Sequence, residues 1–349
     1  MNLRKTSAGL VLLGLLAAGG TAQEAEPPLR LGMIGLDTSH VIAFTQLLND
    51  PKNPNHVPGA RVVCGFKGGS PDVEASRTRV DNFTRQLQEK FGVEIVDSIE
   101  ELCRKVDAVL IMSVDGRPHL DQARAVFAAR KRLFIDKPLA GSLRDAREIA
   151  RLARESDTPF FSASSLRFAD SVARTRTDPA LGKILGCDAF SPASREPHHP
   201  DLFWYGVHGV EILFSVLGPG CDSVRRVETL EADFVVGRWK DGRVGTFRGI
   251  RQGHSGFGAT VFGEKAVRST LSPQAVAAWA REARKTGAAV EVPEIQDSYR
   301  NLVREIVTFF RTGRPPVSVE EMLDVLAFME AADVSKSRGG AEVRLAELP

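Results

Sequence analysis

This chain carries no excess of charge of one sign: 46 basic residues stand against 44 acidic ones, for a formal net charge of +2. A nucleic-acid binder shows a basic excess, so that partner class drops out. Cysteine is sparse, and Cys64, Cys103, Cys187 and Cys221 include no C-x-x-C pair. Zinc-ribbon and thioredoxin-type centres are thereby excluded. Cys64 and Cys103 lie in apolar segments and read as small buried hydrophobes; a disulfide stays open, with no pairing legible. No apolar run approaches the roughly 20 residues that cross a bilayer. Internal repeats and low-complexity tracts are absent too, which removes solenoids and linker-like chains.

What is there begins with a short basic start, Arg4-Lys5, followed by an unbroken apolar and glycine run from Ala8 to Ala18 and the small residues Gly20-Thr21-Ala22. That is the layout of a secretory signal peptide. We expect residues 1–22 to be removed and the protein to be exported, to the periplasm. Without them the basic count falls to 44, equal to the acidic count. Residues 23–28 then form a Pro-containing linker.

From Leu29 the chain alternates short apolar runs with helical patterns. Runs at 29–36, 60–66, 93–96, 108–112 and 133–135 read as strands. Helical patterns lie at 39–48, 73–91, from Ser98, at 119–129 and from Ser142. Single helices between strands imply parallel pairing through right-handed crossovers, and non-alternating apolar strands imply a sheet covered on both faces. The expected fold class is α/β: a Rossmann doubly wound parallel sheet over 29–158, then an α+β domain over 159–349. The second domain's strands at 182–190, 224–229, 232–238, 243–250 and 258–263, with the Asp241-Gly242 hairpin signal, predict a mostly antiparallel open sheet. Helices are expected at 207–217, 299–310 and 319–331.

In such folds ligands bind at the carboxyl ends of the parallel strands. The first junction reads Gly32-Met33-Ile34-Gly35-Leu36-Asp37-Thr38-Ser39-His40. A dinucleotide fingerprint wants glycine at 35, 37 and 40, and only Gly35 obeys. Asp37 either faces the pyrophosphate or caps the following helix. No carboxylate ends the second strand to hold a ribose; Lys67 and Ser70 there would suit a 2′-phosphate, or Lys67 is a solvated loop residue. Asp136-Lys137-Pro138 closes a buried strand, so Lys137 emerges at the ligand edge, where desolvation fits an amine for proton transfer.

With these motifs the chain resembles the Gfo/Idh/MocA family of oxidoreductases, over essentially residues 29–345. The family's Glu-Lys-Pro is matched by Asp136-Lys137-Pro138, and its loop histidine by His119 in the run from Ser113. Its arginine after the next strand is matched by Arg167. Its Asp-x-Gly-x-His is matched in part by Trp204-Tyr205-Gly206-Val207-His208, and its last helix entry by Pro315 to Glu321.

The resemblance implies a nicotinamide-dependent oxidoreductase acting on a hydroxyl of a sugar, polyol or sugar derivative. Lys137 and His208 would be catalytic, His208 accepting or returning the hydroxyl proton. Gly35, Asp37, Thr38, Ser39, His40, Lys67, Ser113, His119, Asp136 and Lys137 would hold NAD or NADP. Arg167, Trp204 and Tyr205 would face the carbohydrate-like substrate, Trp204 as a stacking wall where the family has a carboxylate. The second sheet would serve a homo-oligomer.

Two rival readings stand beside this one: a redox-neutral sugar-processing enzyme on a tightly held NAD(H), and a carbohydrate-binding protein that kept the fold without the chemistry. His198-His199 and Asp201 lack the spacing of a metal site, so none is expected.

Overall fold

A computed structural model describes residues 27–253, 256–271, 281, 284, 285 and 297–349; the signal-peptide reading of 1–22 lies outside them. The first sheet has six parallel strands in the order β3-β2-β1-β4-β5-β6, read along the chain as β1 (Leu29–Ile34), α1 (Ser39–Asn49), β2 (Ala60–Phe66), α2 (Glu74–Arg77), α3 (Val80–Phe91), β3 (Glu94–Val96), α4 (Ile99–Lys105), β4 (Ala108–Ile111), α5 (His119–Ala128), β5 (Arg132–Asp136), α6 (Leu143–Glu155) and β6 (Phe160–Ala163). The order reverses beside β1, which creates the crevice where such sheets take ligands.

The strands form as their composition dictates. Every residue of β4 and β6 is buried, as two covered faces require. Helix starts follow the capping rule: Ser98 accepts from the Glu101 N–H, and Ser142 from that of Asp145. Two sequence boundaries shift. The helix read over 73–91 is two helices, because the Ser76 side chain turns inward to the Asp37 carboxylate and Arg79 opens α3 afresh. The first sheet also runs past residue 158: Phe160–Ala163 pairs in parallel with β5, a four-residue run too short to stand out in the sequence.

The second domain continues through a 3-10 turn (Ser165–Phe168), α7 (Asp170–Thr175), β7 (Ile184–Pro192), α8 (Asp201–Trp204), α9 (Val207–Leu217), β8 (Cys221–Glu228), β9 (Ala232–Trp239), β10 (Val244–Ile250), β11 (Gly258–Gly263), β12 (Val267–Ser269), α10 (Ser298–Thr312), α11 (Val319–Ser337) and β13 (Val343–Arg344). Its seven strands run β12-β11-β7-β10-β9-β8-β13, antiparallel except where β10 meets β7. The Asp241-Gly242 turn joins β9 to β10 as expected, with Gly242 at φ +90°.

Helix α9 lies on one face of this sheet and is buried along its whole length. Gly209 permits the approach: a Cβ there would meet the Phe247 ring at 2.3 Å. The other face carries the exposed apolar side chains Leu185, Val227, Phe234, Val244 and Phe262. All four cysteines are buried free thiols. No helix among the described residues is long and apolar enough to cross a membrane.

Candidate active site

The carboxyl ends of β1, β4 and β5 face α9 and α10, and between them buried polar groups converge. β5 delivers Asp136, whose Oδ1 accepts from the Lys137 N–H at 2.9 Å; the Lys137–Pro138 peptide that follows is cis. Asp136 Oδ2 lies 2.6 Å from Nδ1 of His40, in the first turn of α1. The other nitrogen of His40, Nε2, meets the Tyr299 hydroxyl of α10 at 3.1 Å. The His40 ring stacks on Phe44, its neighbour one turn on, with centroids 5.4 Å apart.

From the second domain come Tyr205 and His208. The Lys137 ammonium lies 5.9 Å from the Tyr205 ring centroid, within cation–π range. The His208 ring meets Tyr205 edge-on at 5.1 Å and Phe257 at 5.7 Å. Its Nδ1 is 2.7 Å from the Ser164 hydroxyl.

Electrostatics set the protonation states. Burial pushes the Lys137 ammonium down from its ordinary range, against the opposing charge of Asp136. Burial, reinforced by the positive charge of Lys137, holds His208 well below its usual value, so its imidazole is neutral at pH 7. Burial would raise the Asp136 carboxyl, but the contact with His40 and the charge of Lys137 outweigh it and keep it ionised.

The remaining expected site residues divide. Asp37 does not cap α1; Thr38 does, accepting from the His40 N–H, because the Asp37 carboxylate points across the crevice instead. There Oδ1 accepts from the Val114 N–H at 2.8 Å and Oδ2 from the Ser76 hydroxyl at 2.6 Å. Ser39 is exposed. Lys67 leaves the crevice for a surface pair with Asp81, and Ser70 donates to Asp115 at 2.6 Å, so neither is set for a 2′-phosphate. Ser113 exchanges hydrogen bonds with Gln122. Both His119 nitrogens face backbone carbonyls, of Ser113 on one side and Pro138 and Leu139 on the other, so its ring braces two loops.

Arg167 is held by Glu211 through Nε and by Glu321 through Nη1, all three buried, while its buried Nη2 has no partner among the described residues. Trp204 packs on His199 at 5.2 Å. His198 and His199 turn to different acids, Glu196 and Asp115.

The crevice can be tested against NAD or NADP, the cofactors implied. Its reacting end fits: an amine, an imidazole and a phenol converge there. Its phosphate end departs from the fingerprint at residues 37 and 40. Gly35, at φ +81°, is required by the close approach of β4, since a Cβ would fall 2.0 Å from Ser113 Oγ. The backbone donors around it are already used: Gly35 N–H by Phe66, Leu36 N–H by Lys67, and Val114 N–H by Asp37. Asp37 is fully buried, and burial pushes its carboxyl up despite the hydrogen bonds from Ser76 and Val114. At the fingerprint's second glycine position this chain keeps a buried carboxylate.

Sequence reasoning missed Tyr299, Ser164, Ser76 and Phe257. No motif marks them; each reaches the crevice only through the fold.

Residues 61–164 match a family described as an oxidoreductase family with an NAD-binding Rossmann fold. Among solved structures, a probable dehydrogenase from Thermotoga maritima is similar at 20% identity and TM-score 0.70, over 92% of this chain and 100% of that one. The scyllo-inositol dehydrogenase from Lactobacillus casei with bound NAD(H) and scyllo-inositol is similar at 14% identity and TM-score 0.71, over 92% and 100%. Myo-inositol 2-dehydrogenase from Lactobacillus plantarum is similar at 16% identity and TM-score 0.70, over 91% and 99%. At these identities the structural likeness establishes the two-domain fold.

Proposed function

Residues 61–164 belong to the Gfo/Idh/MocA oxidoreductase family, and on that premise we propose that the Lys137–His208 cluster oxidises or reduces a hydroxyl-bearing carbon of a sugar, polyol or sugar derivative, using NAD or NADP. One observation carries the reading. Lys137 from the first domain and His208 from the second both close on the Tyr205 ring, so the two groups expected to meet a carbinol are brought together from 71 positions apart in the chain. The neutral His208 is suited to hydrogen-bond the reacting oxygen, and the partly desolvated Lys137 to offset negative charge developing there. Inositol as the ligand of two similar proteins supports a polyol as substrate class. Export to the periplasm belongs to the same proposal, on the sequence of residues 1–22, as does pairing of two copies through the open face of the second sheet.

The buried carboxylate at residue 37 favours one rival, a carbohydrate-binding protein that kept the fold. Calorimetric titration with NAD and with NADP, followed by nicotinamide absorbance in the presence of myo-inositol, scyllo-inositol and glucose, separates the two. An oxidoreductase binds one nucleotide and loses turnover by about 10²–10⁴-fold in Lys137→Ala. Absence of binding to either nucleotide sinks the proposal and leaves the rival.

A further inference from the structure

His40 stands where the dinucleotide fingerprint has its third glycine, and a glycine has no ring to offer. What the ring does here is visible in its two bonds. The Asp136 carboxylate accepts from Nδ1 at 2.6 Å, which leaves Nε2 as the acceptor whenever the ring is uncharged. The group in reach of Nε2 is the Tyr299 hydroxyl at 3.1 Å, which donates to it in that form. Stacking on Phe44 and an edge contact with Tyr299 at 4.9 Å fix the ring's plane. Carboxylate, imidazole and hydroxyl stand in the order of a catalytic triad, with a phenol in the last place.

His208 has the opposite polarity. The Ser164 oxygen already accepts the Leu166 N–H, and its own proton has no acceptor among the described residues other than His208 Nδ1. Nδ1 is thus the acceptor and Nε2 carries the hydrogen. In that tautomer His208 donates to a substrate oxygen and takes no proton from it.

We propose that Tyr299 is a catalytic residue that receives the substrate's hydroxyl proton, with His40 and Asp136 as the positioning relay behind it and His208 as a fixed hydrogen-bond donor. The substrate O–H bond breaks and its proton goes to the Tyr299 oxygen while the phenol's own proton passes to His40 Nε2. The electron pair of the broken bond stays on the substrate oxygen, opposite the Lys137 ammonium, and the new imidazolium faces Asp136. Reprotonation runs the same path in reverse. The phenol never has to persist as phenolate, which matters because burial holds Tyr299 up at about 12. The oxidoreductase reading supplies only the identity of the hydroxyl; the relay itself is a property of these three side chains.

The test has two arms, on the full chain. In the first, the protein labelled with nitrogen-15 at its seven histidines is studied by NMR without ligand. His40 is expected as the Nδ1–H tautomer with a far-downfield Nδ1 proton, which Asp136→Asn removes. Tyr299→Phe should leave that proton in place and shift Nε2, which loses its donor. An Nε2–H tautomer in the wild type, or an unmoved Nε2 in Tyr299→Phe, overturns the relay.

In the second arm, NAD and myo-inositol are the probes. Tyr299→Phe lowers kcat about 10²-fold with KM near wild type and a changed solvent deuterium isotope effect, and His40→Gln does the same. Full activity in Tyr299→Phe overturns the proposal. A wild type that turns over nothing counts against the oxidoreductase reading, and the first arm then decides the relay alone.

Discussion

At residue 37 a single carboxylate separates this crevice from an open phosphate seat. Asp37 is buried, bonded on both oxygens, and has no ion-pair partner within bonding distance among the described residues. A pyrophosphate placed beside it would meet like charge at low dielectric. Asp37→Gly is therefore expected to tighten NAD or NADP binding at least about tenfold, or about 1.4 kcal/mol, as read by calorimetry. Unchanged affinity would mean that the nucleotide lies elsewhere. The sequence showed that 37 and 40 break the fingerprint but not what each had become. His40 and Asp136 are 96 positions apart, and Tyr299 a further 163 along the chain, so no local pattern carries their meeting. Lys137 was legible because its motif is contiguous and ends a strand.

Elements come together through two buried charge clusters, and each makes a distinct prediction. Arg167, on the turn after β6, binds Glu211 of α9 and Glu321 of α11. Removing the guanidinium strands two carboxylates out of water, so Arg167→Met should cost about 3–5 kcal/mol in denaturant unfolding; a near-neutral result would show the trio relaxing into solvent. Asp115 is the other hub, joined by His199, Arg117 and Ser70, which ties the loop after β4 to the second domain. Burial alone would raise its carboxyl, but those hydrogen bonds outweigh it and hold it far below the ordinary 3.8. A depressed folded value means stability that is present above the ordinary value and lost as pH falls below it. Asp115→Asn should flatten the acid side of the stability–pH curve below about pH 4, measured by thermal melts; an unchanged acid limb would deny the hub its role. The helix caps at Ser98 and Ser142 were readable from spacing alone, since a cap is a contact over three residues. These hubs were not, because they span 44 to 154 residues.

For the whole molecule, short apolar runs and the helices between them were enough to give both sheets. They missed β6, β12 and β13, runs of two to four residues too short for a pattern to register. The open face of the second sheet presents Val227 at 66% and Val244 at 45% exposure, with Phe234 beside Val227 in register. Apolar side chains in such numbers on one face mark an interaction surface. Under the pairing proposed above, Phe234→Asp should turn a dimer into a monomer in sedimentation. The melting temperature of the protomer should barely move, since an exposed site away from the core changes stability by about 0.5 kcal/mol or less. A wild type that sediments as a monomer removes that use of the face.

The chain has only two tyrosines, Tyr205 and Tyr299, and both stand in the crevice beside Lys137, His208 and His40. Fluorotyrosine incorporated throughout the protein would therefore give two fluorine resonances, each a reporter on one wall of the same chamber. Candidate sugars, polyols and nucleotides can be screened by which line moves, without first knowing the reaction they undergo.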